Sequence, residues 1–255
     1  MGPLDQGREA LAWCTETIAI RRPANQEPDI QCYVTLTAHA VGWSPYPKEE
    51  HPVSSLIVYV DGFNLYHGLK EQFGRRMLWL DLVELSKSLR PRSSLVQVRY
   101  FTAPVLDEPP AASRQGRYQQ ALLAQNPGLV DIVQGRYQKK PMTCHKCGAG
   151  WTHYEEKETD VNIATSLVAD AARRLSDSAL IVSADSDLTP AVKAARSLNP
   201  NLYVAAAFPP KRFSAELKKL MPGSFHISPA KIRQSQLPQT VSGNGRSYSR
   251  PTKWA

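Results

Sequence analysis

The chain has 255 residues, 42% of them hydrophobic, enough to fill one ordinary core with appendages or two small ones, and no apolar run approaches the roughly 20 residues that cross a bilayer. A formal net charge of +8 fits solubility and capture of polyanions about equally well. Four cysteines, two isolated (Cys14, Cys32) and two close together (Cys144, Cys147), exclude a disulfide framework, and with no secretory pattern near Met1 they predict a cytoplasmic protein in a reducing compartment.

In chain order, residues 1–52 scatter their apolar positions between Pro23, Pro28, Pro45, Pro47 and Pro52, with neither the helical nor the strand period. They read as a poorly ordered N-terminal extension. Patterning begins at Val53. Leu56 to Val60 is a continuous apolar run, as expected of a strand buried on both faces. Leu78 to Leu89 has helical spacing and is stopped by Pro91. Leu95 to Phe101 alternates like a second strand, Ser113 to Gln125 reads as a helix, and Val130 to Tyr137 as a third strand. Asp160 to Leu175 is a helix, Ala179 to Ser183 a fourth strand, Asp187 to Leu198 a helix, Leu202 to Ala207 a fifth strand, and Phe213 to Met221 a last helix.

Strands that alternate with helices, each too far apart for a hairpin, run parallel and are joined by right-handed crossovers. The expectation is therefore an α/β fold, a doubly wound, Rossmann-like parallel sheet in a single domain over residues 53–229. Ligands of such sheets sit beyond the carboxyl ends of the strands, where strand order reverses. From Ser228 the chain is rich in Ser, Pro, Gln and Gly, and residues 230–255 hold five Lys/Arg and no acid. That composition predicts a basic, disordered tail.

The acids fall where a ligand is expected. Strand one is followed at once by Asp61-Gly62-Phe63-Asn64, and strand four by Ala184-Asp185-Ser186-Asp187. Asp160 opens a helix whose Ala164, Leu167 and Ala171 share its face, which aims it inward. Singly, Asp160 and Asp187 are explained as first-turn acids and Asp185 as an N-cap. As a set from three loops they suit Mg²⁺, an oxygen-preferring ion that takes one or two direct carboxylates and keeps several waters. Asn64 adds a neutral oxygen. A metal there activates water and stabilises charge on a scissile phosphate.

The segments Tyr59-Val-Asp61-Gly-Phe-Asn64-Leu-Tyr, Glu155-Glu-Lys157-Glu-Thr-Asp160-Val-Asn-Ile-Ala and Ser183-Ala-Asp185-Ser-Asp187-Leu-Thr-Pro, in that order, resemble the NYN domain, a branch of the PIN-like nuclease superfamily. The resemblance covers about residues 54–229. It implies a PIN-like fold with central strand order 3-2-1-4-5 and an endoribonuclease using Mg²⁺ or Mn²⁺. It also implies Asp61, Asp160, Asp185 and Asp187 as metal-binding, catalytic acids with Asn64 in support. Ala184 stands where Gly is common and Leu188 where Phe is common; neither change removes an acid.

Cys144-His145-Lys146-Cys147-Gly148, in an insertion spanning about 138–156, has the form of a zinc knuckle. Structural Zn²⁺ wants four ligands. Cys144, Cys147 and His153 (or His145) leave the set incomplete, so the fourth comes from a distant residue or another subunit, or the pair is simply a thiol pair in a loop. For RNA, Lys157, Arg136, Lys139 and Lys140 are the leading phosphate contacts, followed by Arg114, Arg117, Lys211 and Arg212. Tyr66, Tyr137 and Trp151 are candidate stacking platforms. The partner expected is RNA, with no membrane and no organic cofactor; oligomeric state is open. The alternative to an RNA endonuclease is a non-catalytic RNA-binding or scaffolding module of the same fold. A phosphatase with a strand-one Asp nucleophile wants a second acid two residues on, where this chain has Phe63.

Overall fold

The structure, a computed structural model, describes residues 54–255 except Asn244, and not the side chains of Gln138 and residues 152–156. The expected N-terminal extension, residues 1–52, therefore lies outside the described residues.

β1 (Ser55–Asp61) lies at the centre of a six-stranded sheet. On one side it pairs in parallel with β2 (Ser94–Thr102), which pairs with β3 (Val130–Gln134). On the other it pairs with β6 (Ser178–Val182), followed outward by β7 (Tyr203–Phe208) and the short β8 (Phe225–His226). The order β3-β2-β1-β6-β7-β8 is the expected 3-2-1-4-5 arrangement with one further edge strand. Strand order reverses between β1 and β6, so the ligand position of this sheet type is at their carboxyl ends.

Alternation along β1 divides the core. Leu56, Val58 and Val60 enter the layer built by α1 (Gly62–Phe73), α2 (Leu82–Leu89) and α3 (Pro109–Gln125). Ile57 and Tyr59 enter the opposite layer, under α4 (Thr159–Arg173), α5 (Thr189–Leu198) and α6 (Ala215–Leu220). A strand apolar on both faces is what such a sandwich requires. Among the described residues, no helix is long and apolar enough to cross a membrane.

Four expectations need correction. First, no helix is expected between strand one and Leu78, yet Asp61 caps α1 there. Second, the helix expected from Leu78 begins at Leu82, because the Asp81 carboxylate accepts the N–H groups of Val83 (2.9 Å) and Glu84 (3.2 Å) and so fixes the start. Third, the third strand ends at Gln134. Beyond Gly135 the chain leaves the sheet as β4 (Arg136–Thr143), which pairs antiparallel with β5 (Gly150–Lys157).

Fourth, the C-terminal segment is folded. Residues 229–234 form α7 (Pro229–Gln234), and β9 (Thr240–Gly243) pairs with β10 (Arg246–Ser249). All belong to the same compact unit as the sheet, Glu50–Ala255. Ile232, Leu237, Val241 and Trp254 are buried. Trp79 donates its indole N–H to Pro238 O at 2.7 Å, and its carbonyl accepts Leu237 N at 2.9 Å. A few apolar anchors on a surface prepared by α2 and α3 suffice, although the segment's polar composition alone forms no core.

Candidate active site

Asp61 ends β1 and caps α1. One carboxylate oxygen accepts the Asn64 N–H at 2.9 Å, and the other accepts the Ser183 hydroxyl at 2.8 Å. The residue is 4% exposed. Burial pushes its carboxyl above the usual carboxylate range, and nearby Asp185 pushes the same way. Hydrogen bonds from Asn64, Ser183 and Phe63 pull against them. Gly62 lets this helix start flush against β2, since a Cβ there would lie 2.5 Å from Phe101 O and 2.9 Å from Tyr100 Cε2.

The other wall comes from the exit of β6. Asn64 Oδ1 accepts Ala184 N at 3.2 Å, and Ser183 Oγ accepts Asp185 N at 3.0 Å. Asp185 in turn accepts Asp187 N at 3.0 Å and caps a 3₁₀ turn, Ser186–Leu188. Its capping role and its place beside Asp61 are compatible, because a carboxylate has lone pairs for both.

Asp61, Asn64, Asp160 and Asp185 line one cleft of ≈ 340 Å³ together with Phe63, His67, Thr159 and Arg212. Asp160 lies in the first turn of α4 but is exposed; the buried face of that helix carries Ile163, Leu167, Asp170 and Ala171. The expected inward aim is thus corrected to a place at the mouth of the cleft. Asp187 is exposed and outside the cleft lining. The turn that Asp185 caps carries it away.

Sequence reasoning missed His67, Thr159 and Ser183. With α1 recognised, the spacing Asp61, Asn64, His67 would have put all three along one side of the helix start. Burial first, then Arg212 and Lys70, hold the His67 imidazole below its ordinary value. Arg212 bonds Glu71 at 3.1 Å, which divides its charge between the cleft and the α1 surface.

Among the described residues, no three His, Cys, Asp or Glu groups stand close enough to form a ready metal cage. The donors present fit a hydrated divalent ion nonetheless: a buried carboxylate and a neighbouring one, with an amide, a hydroxyl and a carboxylate at the mouth. That matches the small number of direct protein ligands Mg²⁺ takes.

Lys157 is half-buried at the end of β5, and Lys139 and Lys140 are exposed on β4. Arg136 forms an ion pair with Glu158 beside the start of α4. Cys144 and Cys147 are free thiols at the tip of the β4–β5 ribbon. The N–H groups of Cys147 and Lys146, and the Cys147 side chain, bond the Cys144 sulfur and lower its pKa. Gly148, at φ 70°, closes that turn. The His153 side chain lies outside the described residues.

The sequence model of the NYN domain family matches residues 55–228. The chain is 26% identical over 236 residues to 6-hydroxy-3-succinoylpyridine 3-monooxygenase of Pseudomonas putida, spanning 77% of this chain and 74% of that protein. A crystal structure of a Vibrio parahaemolyticus protein of unknown function superposes with a TM-score of 0.49 at 17% identity, covering 69% of this chain and 94% of that one.

Proposed function

The chain belongs to the NYN domain family, and on that footing we propose that it is a metal-dependent endoribonuclease acting at the Asp61–Asp160–Asp185 cleft. NYN domains are in general nuclease-like, and nucleic acid is the partner they imply. The observation that carries the reading is Asp61, a buried carboxylate set beside a second acid at the switch point of the sheet. Burying like charges is costly unless something compensates them. Mg²⁺ or Mn²⁺, when bound, supplies a water nucleophile and neutralises charge on the phosphate.

The chain's own residues have distinct tasks in this proposal. Asp61 and Asp185 hold the ion, Asp160 orients water at the mouth, and Asn64 braces Ala184 across the cleft. His67, which lines the cleft, gives a hydrogen bond to a phosphate oxygen or the leaving group in this proposal. Arg212, with Lys157 and the ribbon lysines Lys139 and Lys140, draws the polyanion in. Asp187, outside the cleft lining, gives its backbone N–H to Asp185.

The test is incubation of purified protein with labelled single-stranded and structured RNA in Mg²⁺, Mn²⁺ or EDTA, beside Asp185→Asn. Metal-dependent cleavage lost in the mutant supports the proposal. Equal cleavage by both proteins indicates a contaminant, and RNA binding without cleavage favours the non-catalytic module.

A second reading follows the Pseudomonas relative, whose name describes oxygenation of a hydroxypyridine. An aromatic-walled pocket beside the acid cleft favours it. Such a reaction consumes dioxygen and a two-electron donor, so oxygen uptake separates it from hydrolysis. In either case a cytoplasmic setting is proposed, supported by the cysteine usage. Zn²⁺ at Cys144 and Cys147 is proposed only as a site completed by further ligands; elemental analysis of protein purified without chelators tests it.

A further inference from the structure

Beyond Phe63 and His67, which line both, the acid cleft adjoins a second pocket of ≈ 320 Å³, a size typical of small-molecule sites. Its walls are aromatic. The Tyr100 and Tyr118 rings meet edge-on with centroids 6.2 Å apart, Trp254 meets Tyr118 at 6.0 Å, and Phe63 meets Tyr137 at 6.0 Å. Its charged lining is Arg75, Arg114 and Lys253 against the single carboxylate of Glu108. Among the described residues, no carboxylate forms an ion pair with any of the three cations.

The polar groups inside are largely engaged. Gln115 accepts Val105 N at 2.9 Å and donates to Ala103 O at 2.8 Å, and the Tyr118 hydroxyl donates to Leu80 O at 2.8 Å. A ligand is therefore met by aromatic side chains and by charge, with few hydrogen bonds available to the edge of a ring. Lys253 and Trp254 come from the folded C-terminal segment, outside residues 55–228 of the family match, so that segment completes the pocket.

We infer that this pocket receives one nucleobase of an RNA strand by stacking, with the adjoining phosphate directed to the acid cleft; the inference rests on the nuclease reading. The two clefts share a wall, so a base seated in one brings its phosphate toward the other. These cations suit the backbone that leads in, and the scarcity of free polar groups makes the site tolerant of base identity.

The test is calorimetry on the full chain in EDTA, with uridine 5′-monophosphate, adenosine 5′-monophosphate and nicotinate as probes. Both nucleotides bind wild type; Arg114→Ala weakens them about tenfold, and Ala111→Trp, which fills the pocket, abolishes them while circular dichroism reports a folded chain. Absence of nucleotide binding, binding indifferent to both pocket variants, or binding of nicotinate alone overturns the inference. Nucleotide binding without RNA cleavage leaves the pocket standing and removes the nuclease. Asp185-dependent cleavage without nucleotide binding does the reverse.

Discussion

Ser183 and Asp61 are 122 residues apart in sequence and joined by a 2.8 Å hydrogen bond at the bottom of the cleft. The bond ties the exit of β6 to the end of β1, and so holds together the two parallel strands between which strand order reverses. It also favours the charged form of a carboxylate that burial works against. Ser183→Ala is expected to cost ~1–3 kcal/mol in urea unfolding. It should also raise the Asp61 pKa further, moving the acid limb of any metal-dependent activity to higher pH.

Asp61 itself should be a stability liability without metal. A carboxyl whose folded pKa lies above its unfolded value contributes nothing below the unfolded value, where both states are protonated. Its penalty grows through the folded pKa and is full above it. Asp61→Asn should therefore raise the melting temperature at pH 7 in EDTA, with the gain shrinking toward pH 4. A gain that persists unchanged at pH 4 would assign the effect to packing instead of charge.

The layer under α4 holds a second buried acid of a different kind. Asp170, 3% exposed, accepts the Tyr59 hydroxyl at 2.8 Å and Arg99 at 2.9 Å. Every element of this group packs inside the fold, away from the cleft, so its role is structural. Asp170→Ala should cost ~3–5 kcal/mol, because Arg99 is left half-buried without its partner. Tyr59→Phe should cost ~1–3 kcal/mol. Chemical denaturation checks both, and neither should alter metal affinity.

The strands and the acids at their ends were legible because a buried parallel strand is written as an unbroken apolar run, and because Asp61 and Asp185 follow such runs directly. Other features depended on partners that no local pattern reveals. α1 buries only a narrow stripe, Gly62, Leu65, Gly68 and Leu69, and with it His67 went unnoticed. Asp170 reads as a solvated helix acid until Tyr59 and Arg99 close over it. Asp160 was assigned to the inner face by spacing, yet a first-turn residue stands above the sheet margin and meets the cleft from its mouth. The C-terminal anchors Ile232, Leu237, Val241 and Trp254 follow neither period, since they conform to a surface made by other helices.

That last correction predicts that the tail is part of the fold. Trp254→Ala removes a ring lodged between Trp79 (6.3 Å) and Tyr118 (6.0 Å) and should cost ~3–5 kcal/mol. Native-state hydrogen exchange should show protection of the Leu237 amide, which bonds Trp79 O. Full exchange of that amide within seconds would mean that the segment is not held.

The most direct measurement is a Mn²⁺ titration followed by electron paramagnetic resonance, on wild type, Asp61→Asn, Asp185→Asn and Asp187→Asn. The account predicts saturable binding by wild type and by Asp187→Asn, with affinity lowered about tenfold or more in the other two. Binding that is absent from wild type, or equal in all four proteins, would contradict it.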